Sequence, residues 1–220
     1  MLIATHLTKT YQTPAGNLTV LDDVSLSLGA GESACVMGPS GSGKSTLLYI
    51  LGGLEPPSRG SVELSGVNPY SLTADALAAF RNRDVGFVLQ DHCLLPQCTV
   101  LENVLVPTLV GQADAGAADR ATALLRQVGL ADRLHHRPAE LSGGEKQRAA
   151  IARALIRSPR LILCDEPTGN LDADTAATVA DLLIAMHAAH QAIMLVVTHS
   201  DALGARFARR WTMNRGRLAV

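Results

Sequence analysis

Apolar positions along the chain fall into short strand-length runs separated by longer helical stretches. Ser33 to Met37 reads as a buried strand, and Val85 to Leu89, Leu161 to Cys164 and Ala192 to Val197 are further strand candidates. Helices are predicted at Lys44 to Leu51, Leu72 to Phe80 and Ala173 to Ala189, with Gly52-Gly53 and Pro56-Pro57 ending the first. This alternation predicts an α/β fold with a mostly parallel sheet covered by helices. Near the N-terminus, Leu2 to Tyr11, Leu18 to Leu28 and Gly60 to Gly66 carry strand patterns bounded by turn residues, and they predict an antiparallel layer beside the main sheet. From Val100 to Arg157 the pattern is nearly all helical, broken at Pro107, Gly111, Gly129 and Pro138, which predicts an inserted helical subdomain. A turn at Asn214-Arg-Gly-Arg217 joins strand candidates Trp211 to Met213 and Leu218 to Val220.

Where the strand at Ser33 to Met37 gives way to a helix stands Gly38-Pro-Ser-Gly-Ser-Gly-Lys-Ser45, a match to the phosphate-loop pattern G-x-x-x-x-G-K-[ST]. Gly38, Pro39, Ser40, Gly41, Ser42, Gly43, Lys44, Ser45 and Thr46 are therefore the candidate phosphate cradle. Glycines here let backbone N–H groups turn inward around phosphates. Lys44 can reach the β- and γ-phosphates, the Ser45 hydroxyl can ligate Mg²⁺, and the helix start adds its positive end.

Two other stretches carry compatible chemistry. Leu161-Ile-Leu-Cys-Asp165-Glu166 is an apolar strand ending in two carboxylates. Next to the phosphate-loop strand, such a pair can serve a metal and a water, Asp165 holding Mg²⁺ and Glu166 polarising the water. The alternative is a cap on the turn begun by Pro167. Ser142-Gly-Gly-Glu145 satisfies the capping-box pattern, which is reason enough for Ser142 and Glu145 but not for Gly143 and Gly144. Glycine weakens a helix by about 1 kcal/mol relative to alanine, so a pair at a helix start points to something approaching the backbone closely. A γ-phosphate is the obvious candidate. One nucleotide needs only one cradle, so a second in the same chain suggests two copies facing each other.

Composition narrows the function classes. At 220 residues the chain can build one domain or two closely joined subdomains. A formal net charge of −1 implies no strong attraction to nucleic acid or anionic lipid, and 3% aromatics argues against base-stacking platforms. No apolar run approaches the roughly 18 residues of a bilayer span, and Met1-Leu-Ile-Ala-Thr-His6 lacks the pattern of an export signal, so a cytoplasmic protein is expected. Cys35 and Cys164 sit in apolar runs as small buried hydrophobes; Cys93 and Cys98 alone are weak evidence for zinc. Lys146, Arg148 and Arg153 read as a solvated helix face, and His92 as a surface or packing residue.

Leu141-Ser-Gly-Gly-Glu-Lys-Gln147 resembles the signature motif of ATP-binding cassette (ABC) ATPases, and the family's other motifs stand in the right order across essentially the whole chain. By that resemblance, residues 1–220 are a single nucleotide-binding domain of a P-loop NTPase core with an antiparallel β layer, at about 1–90 and 158–220, and a helical subdomain at about 91–157. Tyr11 resembles the aromatic residue that stacks on adenine, with an ordinary strand tyrosine as the alternative. Gln90 resembles the glutamine that touches Mg²⁺ and the attacking water, Gly169-Asn-Leu-Asp172 the D-loop, and His199 the switch histidine at the γ-phosphate. The resemblance implies ATP and Mg²⁺, a head-to-tail homodimer with Ser142, Gly143, Gly144 and Glu145 closing on ATP held by the other copy, and catalysis by Glu166, His199, Gln90 and Lys44.

Asp91-His-Cys-Leu-Leu-Pro96, Leu101-Glu-Asn-Val104 and His136-Arg-Pro-Ala-Glu-Leu-Ser-Gly-Gly-Glu145 are similar to the lipoprotein-releasing (LolD) and macrolide-exporter (MacB) group within the family. Asn214-Arg-Gly-Arg-Leu218 departs from that group's usual acidic residue before the glycine. This resemblance implies an integral membrane permease as partner, touching the region Gln90 to Pro107, with the ATPase on the inner face of the cell membrane. Soluble ABC-type ATPases of DNA repair or translation share the chemistry without the permease. They carry a long coiled coil or tandem cassettes, and this sequence has neither.

Overall fold

The computed structural model describes residues 1–14, 16–111 and 114–219. In chain order the elements are β1 (Leu2–Thr13), β2 (Gly16–Leu28), β3 (Ser33–Met37), α1 (Lys44–Leu51), β4 (Arg59–Leu64), α2 (Ala74–Asp84), β5 (Val85–Leu89), α3 (Val100–Leu105), α4 (Ala117–Gln127), α5 (Gly143–Leu155), β6 (Leu161–Asp165), α6 (Ala173–His190), β7 (Ile193–Thr198), α7 (Asp201–Gly204), β8 (Arg209–Asn214) and β9 (Arg217–Ala219).

The central sheet has six strands in the order β5-β6-β7-β3-β8-β9, parallel except for the β8–β9 hairpin. Its strands read as continuous apolar runs because both faces are covered. Cys35, Val88, Ile162, Cys164, Met194 and Val196 point into a core shared with helical residues such as Ile151, Leu155 and Leu183. Their alternating neighbours Ala34, Val36, Leu161, Leu163, Leu195 and Val197 join Leu47, Leu48, Ile50 and Leu51 of α1 in a second core. That second core also includes Leu2, Leu7, Leu28, Val62 and Leu64 of a separate antiparallel sheet, ordered β2-β1-β4, which is the expected N-terminal layer.

Two expectations change on contact with the fold. The stretch 100–157 is less helical than its pattern: α3, α4 and α5 are linked by short 3₁₀ turns at Val106–Leu109, Ala131–Arg133 and Pro138–Glu140. Pro107 and Pro138 each sit at the start of such a turn, where the missing N–H costs nothing. The helix expected at Leu72 begins instead at Ala74, because the Thr73 hydroxyl accepts from Ala76 N–H and caps it. The final hairpin pairs Met213 with Leu218 and Asn214 with Arg217, as expected; Val220 lies outside the described residues.

Candidate functional site

The parallel strands β3, β5, β6 and β7 end on one side of the sheet, and the candidate residues follow their carboxyl ends, where ligands of open α/β sheets bind. Between β3 and α1, Gly41 takes a left-handed φ of 76° with open space where a side chain would stand. Gly43, at φ 107°, is closed from the other side: a Cβ there would lie 2.7 Å from the Val20 carbonyl. The loop therefore needs glycine at Gly43 for packing and at Gly41 for conformation. Lys44 is buried and its Nζ donates to the Gly38 and Pro39 carbonyls at 2.7 and 3.0 Å.

Asp165 and Glu166 do not stand on the strand next to β3. Strand β7 lies between β6 and β3, so the residues after β7 enter the site between the carboxylates and the loop. Register explains the grouping: Asp165 pairs with Val197 and Met37 with Thr198, which sets Glu166, Thr198 and His199 side by side. Glu166 is buried and its backbone is left-handed, φ 45°, a conformation that costs a non-glycine residue about 1–3 kcal/mol. The surrounding contacts hold it there. Thr198 Oγ1 donates to Glu166 Oε2 at 2.7 Å, and His199 N–H donates to Oε1 at 2.9 Å. His199 Nδ1 lies 2.7 Å from the same oxygen. Lys44 Nζ stands 4.0 Å from Oε1, so the cation and the carboxylate meet although a strand separates their origins. Burial raises the pKa of Asp165 above its ordinary value, the adjacent Glu166 charge adds to this, and the Ser45 hydroxyl beside it works the other way.

His199 lines two cavities beside this cluster. One, about 450 Å³, is lined by Glu166, Gly169, Leu171, the alanine face of α6 and Leu203. Another, about 440 Å³, is lined by Met37, Gly38, Pro39, Asp201 and Thr212.

The other expected site residues are tied to their own neighbours. The Tyr11 hydroxyl donates to Glu55 Oε2 at 2.8 Å, with Lys9 Nζ 5.1 Å from the ring centre. Burial and then Glu55 raise its pKa, while the Thr46 side chain lowers it, so Tyr11 stands beside the start of α1. Gln90 Nε2 donates to Asn170 Oδ1 at 2.9 Å, joining the end of β5 to residues 169–172. Ser142 and Glu145 form the expected capping box: Glu145 N–H donates to Ser142 Oγ at 3.2 Å and Ser142 N–H to Glu145 Oε2 at 2.8 Å. Arg133 Nε adds a bond at 2.9 Å to Glu145 Oε1. The Ser142 N–H first and Arg133 second pull the Glu145 carboxyl down to about 2.

With this geometry in place, comparison with known proteins decides the family. The ABC transporter family profile matches residues 21–169, about two-thirds of the chain. A lipoprotein-releasing system ATP-binding protein, LolD 1 of Rhodopirellula baltica, is 48% identical over 219 residues, 99% of this chain and 96% of the relative. The chain belongs to the ABC transporter family. LolD of Pseudomonas fluorescens is also 48% identical, over 100% of this chain and 97% of its own. Among solved structures, the dimeric ABC transporter cassette MJ0796 superposes with a TM-score of 0.90 at 36% identity, covering 99% of this chain and 96% of that one. A post-hydrolysis state of that cassette bound to ADP and Pi gives 0.90 at 35%.

Within this ABC chain, the matched span includes the phosphate loop, Gln90, the 141–147 motif and both carboxylates, while Tyr11 and His199 lie outside it. Three residues that matter to the site gave little sequence signal. Thr198 reads only as the end of an apolar strand, yet it is fully buried and fixes Glu166. Arg153 is not on a solvated face: Nη1 donates to the Cys93 carbonyl at 2.5 Å and Nη2 to that of His92 at 2.6 Å. His92 is half-buried against the Gly143 backbone, and burial followed by Lys146 lowers its pKa. The glycine pair also has a second explanation. A Cβ on Gly144 would lie 2.4 Å from Thr175 Cγ2, so the close approach there is to α6 of the same chain, whereas Ser142 and Gly143 are exposed.

Proposed function

We propose that this chain is the ATP-binding and ATP-hydrolysing subunit of a membrane transporter of the lipoprotein-releasing type. The observation that carries the chemistry is the buried Glu166 carboxylate, oriented by three hydrogen bonds and 4.0 Å from the phosphate-loop lysine. ATP is held by Gly38 to Thr46, with its adenine on Tyr11. Lys44 leaves the loop carbonyls to meet the β- and γ-phosphates. Glu166 positions a water for in-line attack on the γ-phosphorus and takes its proton as the bond to ADP breaks, so rate comes from positioning and electrostatics. His199 holds Glu166 through its backbone N–H and Nδ1 and stands at the γ-phosphate side of that carboxylate as the switch residue.

Ser45, Asp165 and the Gln90 amide oxygen are hard oxygen donors, which suits Mg²⁺. No group of three or more His, Cys, Asp or Glu side chains that could hold a metal occurs among the described residues. When bound, Mg²⁺ neutralises developing phosphate charge.

Residues 1–220 act as one nucleotide-binding domain, with 91–157 as its helical part. A second copy supplies Ser142, Gly143, Gly144 and Glu145 to close each site. Among the described residues no helix is long and apolar enough to cross a membrane. The reading includes an integral membrane permease as partner, contacted through Gln90 to Pro107 from the cytoplasmic face. The near-complete length shared with proteins named for lipoprotein release disfavours the soluble repair or translation alternative.

The test is Glu166→Gln. Turnover falls about 10²–10⁴-fold, the range for a positioned acid–base group, while ATP still binds. Near-normal hydrolysis in that variant would mean that another group positions the water.

A further inference from the structure

We propose that Arg153 is a positioning residue for hydrolysis, acting on Gln90 through the 91–93 turn; this rests on the ATPase reading above. The turn is unusual in its backbone. His92 and Cys93 are consecutive non-glycine residues in the left-handed region, at φ 59° and 49°, so the segment persists only if something outside it fixes the conformation. Arg153 is that something. It projects from α5, about 60 residues away in sequence, and its two Nη groups take the two adjacent carbonyls of this turn. Among the described residues Arg153 makes no ion pair, so its guanidinium is committed to backbone shape and not to a carboxylate. Burial disfavours the charge, and the two carbonyl dipoles offset that cost.

The turn so held connects three parts of the site. Gln90, immediately before it, bonds Asn170; Asp91 Oδ1 is 3.4 Å from Asn170 Nδ2; and His92 meets Gly143. Arg153 sits on the same helix as Gly143, ten residues on. The helix that begins after Ser142 and the loop that carries Gln90 are thereby fixed to each other at two points, through His92 at the helix start and Arg153 near its end. Lysine cannot replace this: a planar fork satisfies two neighbouring carbonyls, whereas an ammonium is a single point of charge.

The experiment compares full-length wild type, Arg153→Lys, Gln90→Ala and the double variant. Arg153→Lys lowers kcat by about 10- to 100-fold, the scale of an ångström-sized misplacement, with KM for ATP nearly unchanged because the phosphate cradle is untouched. In the Gln90→Ala background the same change has little further effect, since Arg153 acts through Gln90. A retained kcat, or an equal loss in both backgrounds, overturns the proposal. So does an Arg153→Lys chain too unstable to assay, which would make the residue a folding determinant. A readout independent of hydrolysis separates this claim from the ATPase reading. Amide exchange in Arg153→Lys speeds up at residues 91–94 and not in β6 or β7; unchanged exchange there refutes the clamp even if the wild type hydrolyses ATP as expected.

Discussion

Glu166 combines a left-handed backbone, a buried carboxylate and three hydrogen bonds to Thr198, which ends β7, and His199, which follows it. Its place as a candidate site residue was legible in the sequence because an apolar strand ending in two carboxylates is a local pattern. The support was not, since Thr198 lies 32 residues away and only the parallel register of β6 and β7 brings it in. Burial raises the pKa of Asp165, so the folded chain holds its proton more tightly than the unfolded chain does, and its ionised form opposes folding above that value. Stability from this group therefore increases as pH falls through the raised pKa. Asp165→Asn is expected to raise Tm at neutral pH, about 2–4 °C for each kcal/mol relieved, while turnover drops. Thermal melts at pH 7 beside an ATPase assay check this; a lower Tm in the variant contradicts it.

Helix α5 carries both the Ser142–Glu145 cap and Arg153. Its cap at Ser142 and Glu145 was readable from the spacing alone. Its far side was not readable. Polar side chains on a helix look alike in sequence whether they meet water or, as with Arg153, the carbonyls of a distant turn. Strand order was likewise hidden, because chain order β3…β6…β7 does not say that β7 inserts between the other two. The capping box makes a pH prediction. Glu145 has its carboxyl depressed to about 2 from 4.5, so its contribution is fully present above pH 4.5 and is lost as pH falls toward 2. Glu145→Gln costs about 1 kcal/mol at pH 7 in urea unfolding, the usual size of an N-terminal cap, and the gap to wild type closes between those two pH values. A gap that stays constant down to pH 2 would show that the carboxylate charge is irrelevant to the cap.

At the scale of the whole molecule, α/β class, antiparallel layer and family were all available from the sequence, because the motifs are local and their order is preserved. A second copy was suggested by the second cradle at Ser142 to Glu145, whereas the permease was available only through resemblance; Ser142 and Gly143 are exposed, and an alanine-lined cavity lies beside Glu166. If the permease is contacted through Gln90 to Pro107, charge reversal at exposed Asp91 lowers permease-stimulated ATP hydrolysis severalfold, and unchanged stimulation places the contact elsewhere. The proposed chemistry requires ATP to be closed between two copies of the chain. That closure is read by the solution mass of Glu166→Gln with and without ATP, under conditions where nucleotide binding is verified. The expected mass is that of one chain without nucleotide and of two with ATP bound; a chain that stays single with ATP fully bound would contradict the paired site.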